Sequence, residues 1–204
     1  MGLVLLDEKK YEEAEPYFTD VFELIEENPL ESELEQKEIL AKAYTSRGEV
    51  NLNVSGPSTA INDFNKALEV VEDYPEAIFY IGEAFKKKYS SSSALADLKK
   101  AEENMMRARV IDENNAEFAL GLGVFYHKTL AQEDRPNEEL YQQKALQQYR
   151  EYVALGGAQI EQVEGFINEL TTSETTSSPE TTEESEGQPN EDEASEEELE
   201  ESPT

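Results

Sequence analysis

The amino-acid sequence predicts an all-α fold: a solenoid of helical-hairpin repeats over residues 1–170, closed by a C-terminal capping helix and followed by a disordered acidic tail over 171–204. Three observations predict it. Up to Leu170 apolar residues recur at i, i+3, i+4 and i+7, as in Ala60, Phe64, Ala67, Leu68 and Val71, and strand-like alternation is missing. A small residue followed three places on by an aromatic recurs at 41-residue intervals, in LAKAY (40–44), IGEAF (81–85) and LGVFY (122–126). From Thr171 the chain turns to Thr, Ser, Glu, Pro and Gly, with Leu199 its only large apolar residue. Such a segment cannot offset its chain entropy by burial.

Turn-forming residues divide the periodic part: Asn28-Pro29, Asn53 to Pro57, Tyr74-Pro75, the serine run 90–93, Asn114-Asn115, Asp134 to Asn137 and Gly156-Gly157. The breaks yield four pairs of helices, the first incomplete, and one helix more. In the N-terminal pair, YEEAEPYF (11–18) supplies Ala14 and Phe18, and Gly2 and Leu5 are the small and large residues of a half-length first helix. In the third pair, Ile78, Ile81, Gly82 and Phe85 form a stripe notched at Gly82, where a second helix can approach closely if it presents a small residue of its own. Ala60 with Phe64, Ala101 with Met105 and Ala145 with Tyr149 meet that need in successive pairs. After Gly156-Gly157, Ile160, Val163, Ile167 and Leu170 line one side of a closing helix, which Gly165 weakens by ~1 kcal/mol relative to alanine.

These residues resemble the tetratricopeptide repeat, whose pattern is W-x2-L-G-x2-Y, then A-x3-F, then P. Ile78, Ile81, Gly82 and Phe85 match its first half, as do Ala119, Leu122, Gly123 and Tyr126, and more loosely Lys37, Leu40, Ala41 and Tyr44. The resemblance covers roughly residues 1–155. Tryptophan is missing, Glu72 or Glu113 replaces the closing proline, and the recurrence is 41 rather than 34 residues, with seven extra residues expected between Tyr44 and Ala60 and between Phe85 and Ala101. Another helical solenoid, with a period of ~40 to 47, is the alternative architecture.

The resemblance implies a non-enzymatic scaffold that holds a protein or peptide segment in a groove lined by the first helices. The implied groove residues are Glu35, Glu38, Lys42 and Thr45, then Glu76, Phe79, Glu83 and Lys86, then Glu117, Leu120, Val124 and His127. They do not supply the Lys, Asn and Arg clamp by which some members hold chaperone carboxylate tails. The alternative function is a structural component of a larger assembly, self-associating through the apolar N-terminal edge Leu3, Val4, Leu5 and Leu6.

Charge narrows the partners. The chain carries 47 acidic and 17 basic residues; outside the tail the count is 34 to 17, a net of −17. A surface of that sign repels phosphate backbones and anionic lipid, so the expected partner is a neutral or basic protein, not nucleic acid or a membrane surface. Seven of the cations lie between 86 and 109 (Lys86, Lys87, Lys88, Lys99, Lys100, Arg107 and Arg109) and offer the tail a place to fold back, although a solubilising extension is the simpler role.

Chemistry-bearing motifs are scarce. No cysteine is present, so disulfides, thiolate metal sites and thiol nucleophiles are out. His127 is the single histidine and reads as a surface residue beside Lys128; no G-x-S-x-G, Walker or dinucleotide motif accompanies it. Asp112, Asn114 and Glu117 only superficially suggest a calcium loop, because Ala116 and Glu117 stand where an oxygen ligand and a glycine belong. No cofactor and no metal are expected. NVS (53–55) reads as a chance sequon, since neither a signal peptide nor a membrane span is apparent. As written, the chain reads as cytoplasmic; a native start upstream would open an exported, envelope-associated reading.

Overall fold

The structure, a computed structural model, describes residues 1–176, with side chains to Thr172. Among the described residues no strand occurs. The chain folds as successive helical hairpins whose first helices are α1 (Gly2–Asp7), α3 (Glu33–Val54), α5 (Pro75–Ser92) and α7 (Ala116–Phe125). Their partners are α2 (Tyr11–Glu27), α4 (Pro57–Val70), α6 (Leu95–Ile111) and α9 (Glu138–Ala154). A π-helical turn (Tyr126–Leu130), the short α8 (Ala131–Glu133) and a 3-10 turn (Arg135–Asn137) carry the chain from α7 to α9, and α10 (Ile160–Thr176) closes the stack. The closing helix thus continues past Leu170. The tail expected from there lies, beyond Thr176, outside the described residues.

Each junction has a local cause. Ser32 and Asn115 cap α3 and α7 by accepting the backbone N–H of Glu35 and Phe118, both at 3.3 Å. Pro57 and Pro75 begin α4 and α5, where a missing N–H is harmless. At the end of α9, Gly156 takes φ +74°, its N–H donates to the Val153 carbonyl at 3.1 Å, and the Gly157 N–H donates to the Tyr152 carbonyl at 3.2 Å. Those paired bonds are a Schellman stop, which turns the chain into α10.

Notches set the packing within the hairpins. A Cβ built on Gly82 would lie 2.6 Å from Met105 Cγ and 3.0 Å from the Ala101 carbonyl oxygen. One on Gly123 would lie 2.8 Å from Tyr149 Cδ1, and one on Gly2 2.9 Å from Tyr17 Cβ. Ala14, Ala60, Ala101 and Ala145, the small residues expected at the crossings, are all fully buried.

The second hairpin corrects the expected register. Its notch is Gly48, beneath the Phe64 ring, and not Ala41. Seven residues is nearly two helical turns, so Ala41 and Gly48 share a face and the LAKAY outline carries the right phase at the wrong height. Twelve residues separate Gly48 from Ala60, as they do Gly2 from Ala14; nineteen separate Gly82 from Ala101 and twenty-two Gly123 from Ala145. The longer span from notch to alanine therefore belongs to the last two hairpins alone, and the seven extra residues expected between Tyr44 and Ala60 are a misreading of where the notch lies.

Between hairpins the apolar residues form three clusters. Leu6, Ala14, Phe18 and Val50 join the first hairpin to α3. Ala41, Leu52, Ala60, Phe64, Ala67, Ala77, Ile81 and Ala84 join the second hairpin to α5. The largest cluster runs from Ile78 and Phe79 through Met105, Phe125, Tyr149 and Tyr152 to Val163 and Leu170 of the closing helix. Full burial of a side chain such as Phe64 contributes about 1.5–3 kcal/mol each.

Candidate functional site

Stacking decides what the first helices leave open. Helix α5 meets α6 through Gly82, while Phe79 stacks on Phe118 of α7 at 4.8 Å and Tyr80 stacks on Phe64 of α4 at 5.7 Å. Three sides of the helix are thereby covered, leaving a narrow polar strip. The residues expected to line a groove divide accordingly. Glu35, Glu38, Lys42 and Glu117 are exposed; Glu76, Glu83, Lys86, Leu120 and Val124 are half-buried. Glu83 and Lys86 form an ion pair with each other, and Leu120 and Val124 pack against the C-terminal cluster.

Three of the expected groove residues are buried instead. Phe79, 8% exposed, fills the space over Gly121, whose Cβ would lie 3.1 Å from the ring's Cε2. Thr45, 5% exposed, donates its hydroxyl hydrogen to the Ala41 carbonyl at 2.8 Å. His127 is 7% exposed, not the surface residue its neighbour Lys128 suggests. It lies in the π-helical turn, whose extra residue per turn rotates it away from the face that a 3.6-residue period assigns.

The His127 surroundings explain its state. Lys128 Nζ lies 3.1 Å from Nε2 and can only donate, so Nε2 accepts and Nδ1 carries the proton toward the Tyr149 hydroxyl, 3.2 Å away. The ring meets Tyr149 and Phe166 edge-on. Burial, and after it the Lys128 ammonium, pushes the imidazole below its ordinary value, with Glu169 opposing. Lys128 also bonds Glu169 of α10 at 3.0 Å and holds that carboxyl below the usual carboxylate range. The histidine is consumed in fastening the closing helix to the stack.

A second polar knot joins α3 to α4. The buried Asp63 carboxylate accepts from Arg47 Nε at 3.0 Å, Arg47 Nη2 at 2.7 Å and Asn51 Nδ2 at 2.9 Å. Arg47 lies 4.6 Å over the Phe22 ring, which itself stacks on Tyr44 at 4.3 Å, so this knot also ties the first hairpin to the second.

Among the described residues no group of three or more His, Cys, Asp or Glu side chains could hold a metal ion. Nor is any described helix long and apolar enough to cross a membrane. The cations between 86 and 109 have partners inside the body. Lys88 bonds Asp97 at 3.3 Å, Arg107 bonds Asp73 at 2.7 Å and Arg109 bonds Glu151 at 3.0 Å. Lys87 donates to the Leu52 carbonyl at 2.6 Å, and Lys100 sits 5.1 Å over Phe85.

Two cavities on the first-helix side went unread in the sequence. An open polar one of about 450 Å³ lies between α5 and the π-helical turn, lined by Lys86, Tyr89, Ser90, Ser93, Lys128, Thr129 and Glu133, with the Tyr89 hydroxyl donating to Glu133 at 2.6 Å. An apolar one of about 300 Å³ opens where α1 begins and is walled by α1, α2 and α3, with Val21, Ile39 and Lys42 in its lining. Its signal in the sequence was the short apolar run Leu3 to Leu6, which exposes Leu3 and Val4.

Comparison with known proteins finds likenesses among solved structures. A solved crystal structure of MamA is similar to this chain at 17% sequence identity with a TM-score of 0.41, over 76% of this chain and 97% of that one. Neither a protein-family model nor a curated protein matches the sequence. The tetratricopeptide-like character of the helices rests on their own geometry, with a notch at Gly2, Gly48, Gly82 and Gly123 opposite the second helix of each hairpin.

Proposed function

We propose that the chain is a non-enzymatic protein-interaction scaffold that takes a neutral or basic partner segment on its first-helix side. One observation carries the reading: the hairpins consume their apolar residues in packing against one another, yet leave acidic side chains of three successive first helices, Glu38 of α3, Glu76 of α5 and Glu117 of α7, reachable from solvent. Among the described residues no ion pair involves any of these three. Solvent-facing carboxylates on three successive first helices recruit a basic partner while contributing little to the fold itself.

The test is charge reversal. Glu38→Lys, Glu76→Lys and Glu117→Lys combined should abolish capture of the proteins that the wild-type chain retains, and helix content by circular dichroism should not change. Undiminished capture by the folded triple variant would remove this reading.

A further inference from the structure

A cavity of about 480 Å³ opens between the start of α6 and the connection from α7 to α9. Helix α6 supplies Leu95, Leu98 and Lys99, and the connection supplies Leu130, Glu133 and Asp134. All six fall within the nineteen residues from Gly82 to Ala101 or the twenty-two from Gly123 to Ala145, the two spans that exceed the twelve of the first hairpins. Glu102 and Tyr141 complete the wall. Leu98 and Leu130 are buried and form its floor, while Leu95, 68% exposed, stands at its rim.

Charge in this lining is unbalanced. Three carboxylates face one ammonium, and the ammonium is spent: Lys99 pairs with Glu103 at 3.9 Å. Glu102 is met by Lys144 at 3.0 Å. Glu133 and Asp134 belong to no ion pair among the described residues. Their printed donors are neutral, the Tyr89 hydroxyl at 2.6 Å for Glu133 and the Asn137 amide at 2.8 Å for Asp134. Burial, and after it the charges of Glu102 and Asp134, pushes the Tyr141 phenol above its ordinary value, as a negative cavity requires.

We propose that this cavity anchors an arginine side chain of a partner protein, with an apolar neighbour of that arginine seated on the leucines. A guanidinium on a three-carbon stem suits an apolar floor under two adjacent carboxylates, because its planar fork donates to both while the stem lies on Leu98 and Leu130. The acidic tail has no Lys or Arg and cannot supply the cation. A second copy would bring a surface of net −17 outside the tail against the same carboxylates. The inference rests on the scaffold reading and adds to it a distinct anchor: Glu117 stands at the start of α7, and this cavity lies beyond that helix's other end.

The probe is a fluorescein-labelled eight-residue peptide with Leu-Arg-Leu at its centre and Gly and Ser elsewhere. Its control carries citrulline, which keeps the shape of arginine without the charge. By fluorescence anisotropy the arginine peptide should bind the wild-type chain at least about tenfold more tightly than the control. Glu133→Gln with Asp134→Asn should remove that preference. Glu26→Gln with Glu27→Gln, the same change of charge at exposed positions of α2, should leave it intact. Leu95→Ser should weaken both peptides. Equal binding of the two peptides, a preference that survives Glu133→Gln with Asp134→Asn, or one lost equally in the α2 variant overturns the proposal. So does agmatine binding more tightly than the arginine peptide, which gives the cavity to a free alkylguanidine. If the preference follows Glu38, Glu76 and Glu117 instead, the cavity falls and the scaffold stands. If only Glu133→Gln with Asp134→Asn removes it while the triple lysine variant captures partners undiminished, the first-helix reading falls and the cavity stands.

Discussion

Gly48 lies directly beneath the ring of Phe64, so close that a Cβ on the glycine would fall 2.6 Å from the ring's Cδ1. Phe64 is itself fully buried, which leaves the ring no room to withdraw. Gly48→Ala is therefore expected to cost about 1–3 kcal/mol by overpacking. Gly165→Ala in the closing helix, where a Cβ meets nothing within 4 Å, should instead stabilise by ~1 kcal/mol. Urea unfolding of the two variants checks both signs.

Asp63→Ala takes three hydrogen bonds from Arg47 and Asn51 and leaves a guanidinium with 17% of its side chain exposed without its counter-charge. Removing one partner of such a pair costs about 3 kcal/mol or more. Denaturant unfolding should show that loss, and a loss below about 1 kcal/mol, the value of a surface pair, would show the knot to be slack.

His127 gives the fold a pH dependence of known sign. Its folded-state pKa lies below 6.5, chiefly through burial, so the unfolded chain binds the proton more readily than the folded one. Neutral His127 contributes stability that is complete above the unfolded value and is lost as pH falls through the folded value. Going from about pH 7 to about pH 5, the wild type should lose stability that His127→Gln does not lose, measured as the difference in thermal midpoints. Parallel slopes for the two proteins would contradict the assignment.

Glu49 acts in the opposite sense. Burial raises its pKa above 4.5; the hydrogen bond from Tyr80 opposes that shift and Asp7 adds to it. A raised folded value means a contribution present below the unfolded pKa and lost as pH rises through the folded one, so at neutral pH the buried carboxylate costs stability. Glu49→Gln should stabilise the protein near pH 7 and have little effect near pH 4. Equal effects at both would show Glu49 to be solvated.

The architecture was legible because periodicity and small residues report the contact between two helices adjacent in sequence. Gly82 against Met105 and Gly123 against Tyr149 follow from the stripe alone. What periodicity does not report is contact between hairpins. Phe79 looks outward when only α6 is considered, yet Phe118, thirty-nine residues on, covers it. The notch at Gly48 was displaced by two turns because a helix repeats its faces, and Ala41 presents the same face. His127 escaped for another reason: a π-helical turn leaves no mark in hydrophobic spacing. Glu38 and Glu117 are exposed, as outward-facing helix positions are expected to be, because nothing in the stack competes for them.

Carboxyl footprinting of the chain with a captured partner, read residue by residue by mass spectrometry, tests the scaffold claim most directly. Labelling of Glu38, Glu76 and Glu117 on α3, α5 and α7 should fall several-fold in the complex, while Glu69, Glu103 and Glu139 on α4, α6 and α9 stay as reactive as in the free chain. Protection of the second-helix residues, with the three first-helix carboxylates unchanged, would contradict it.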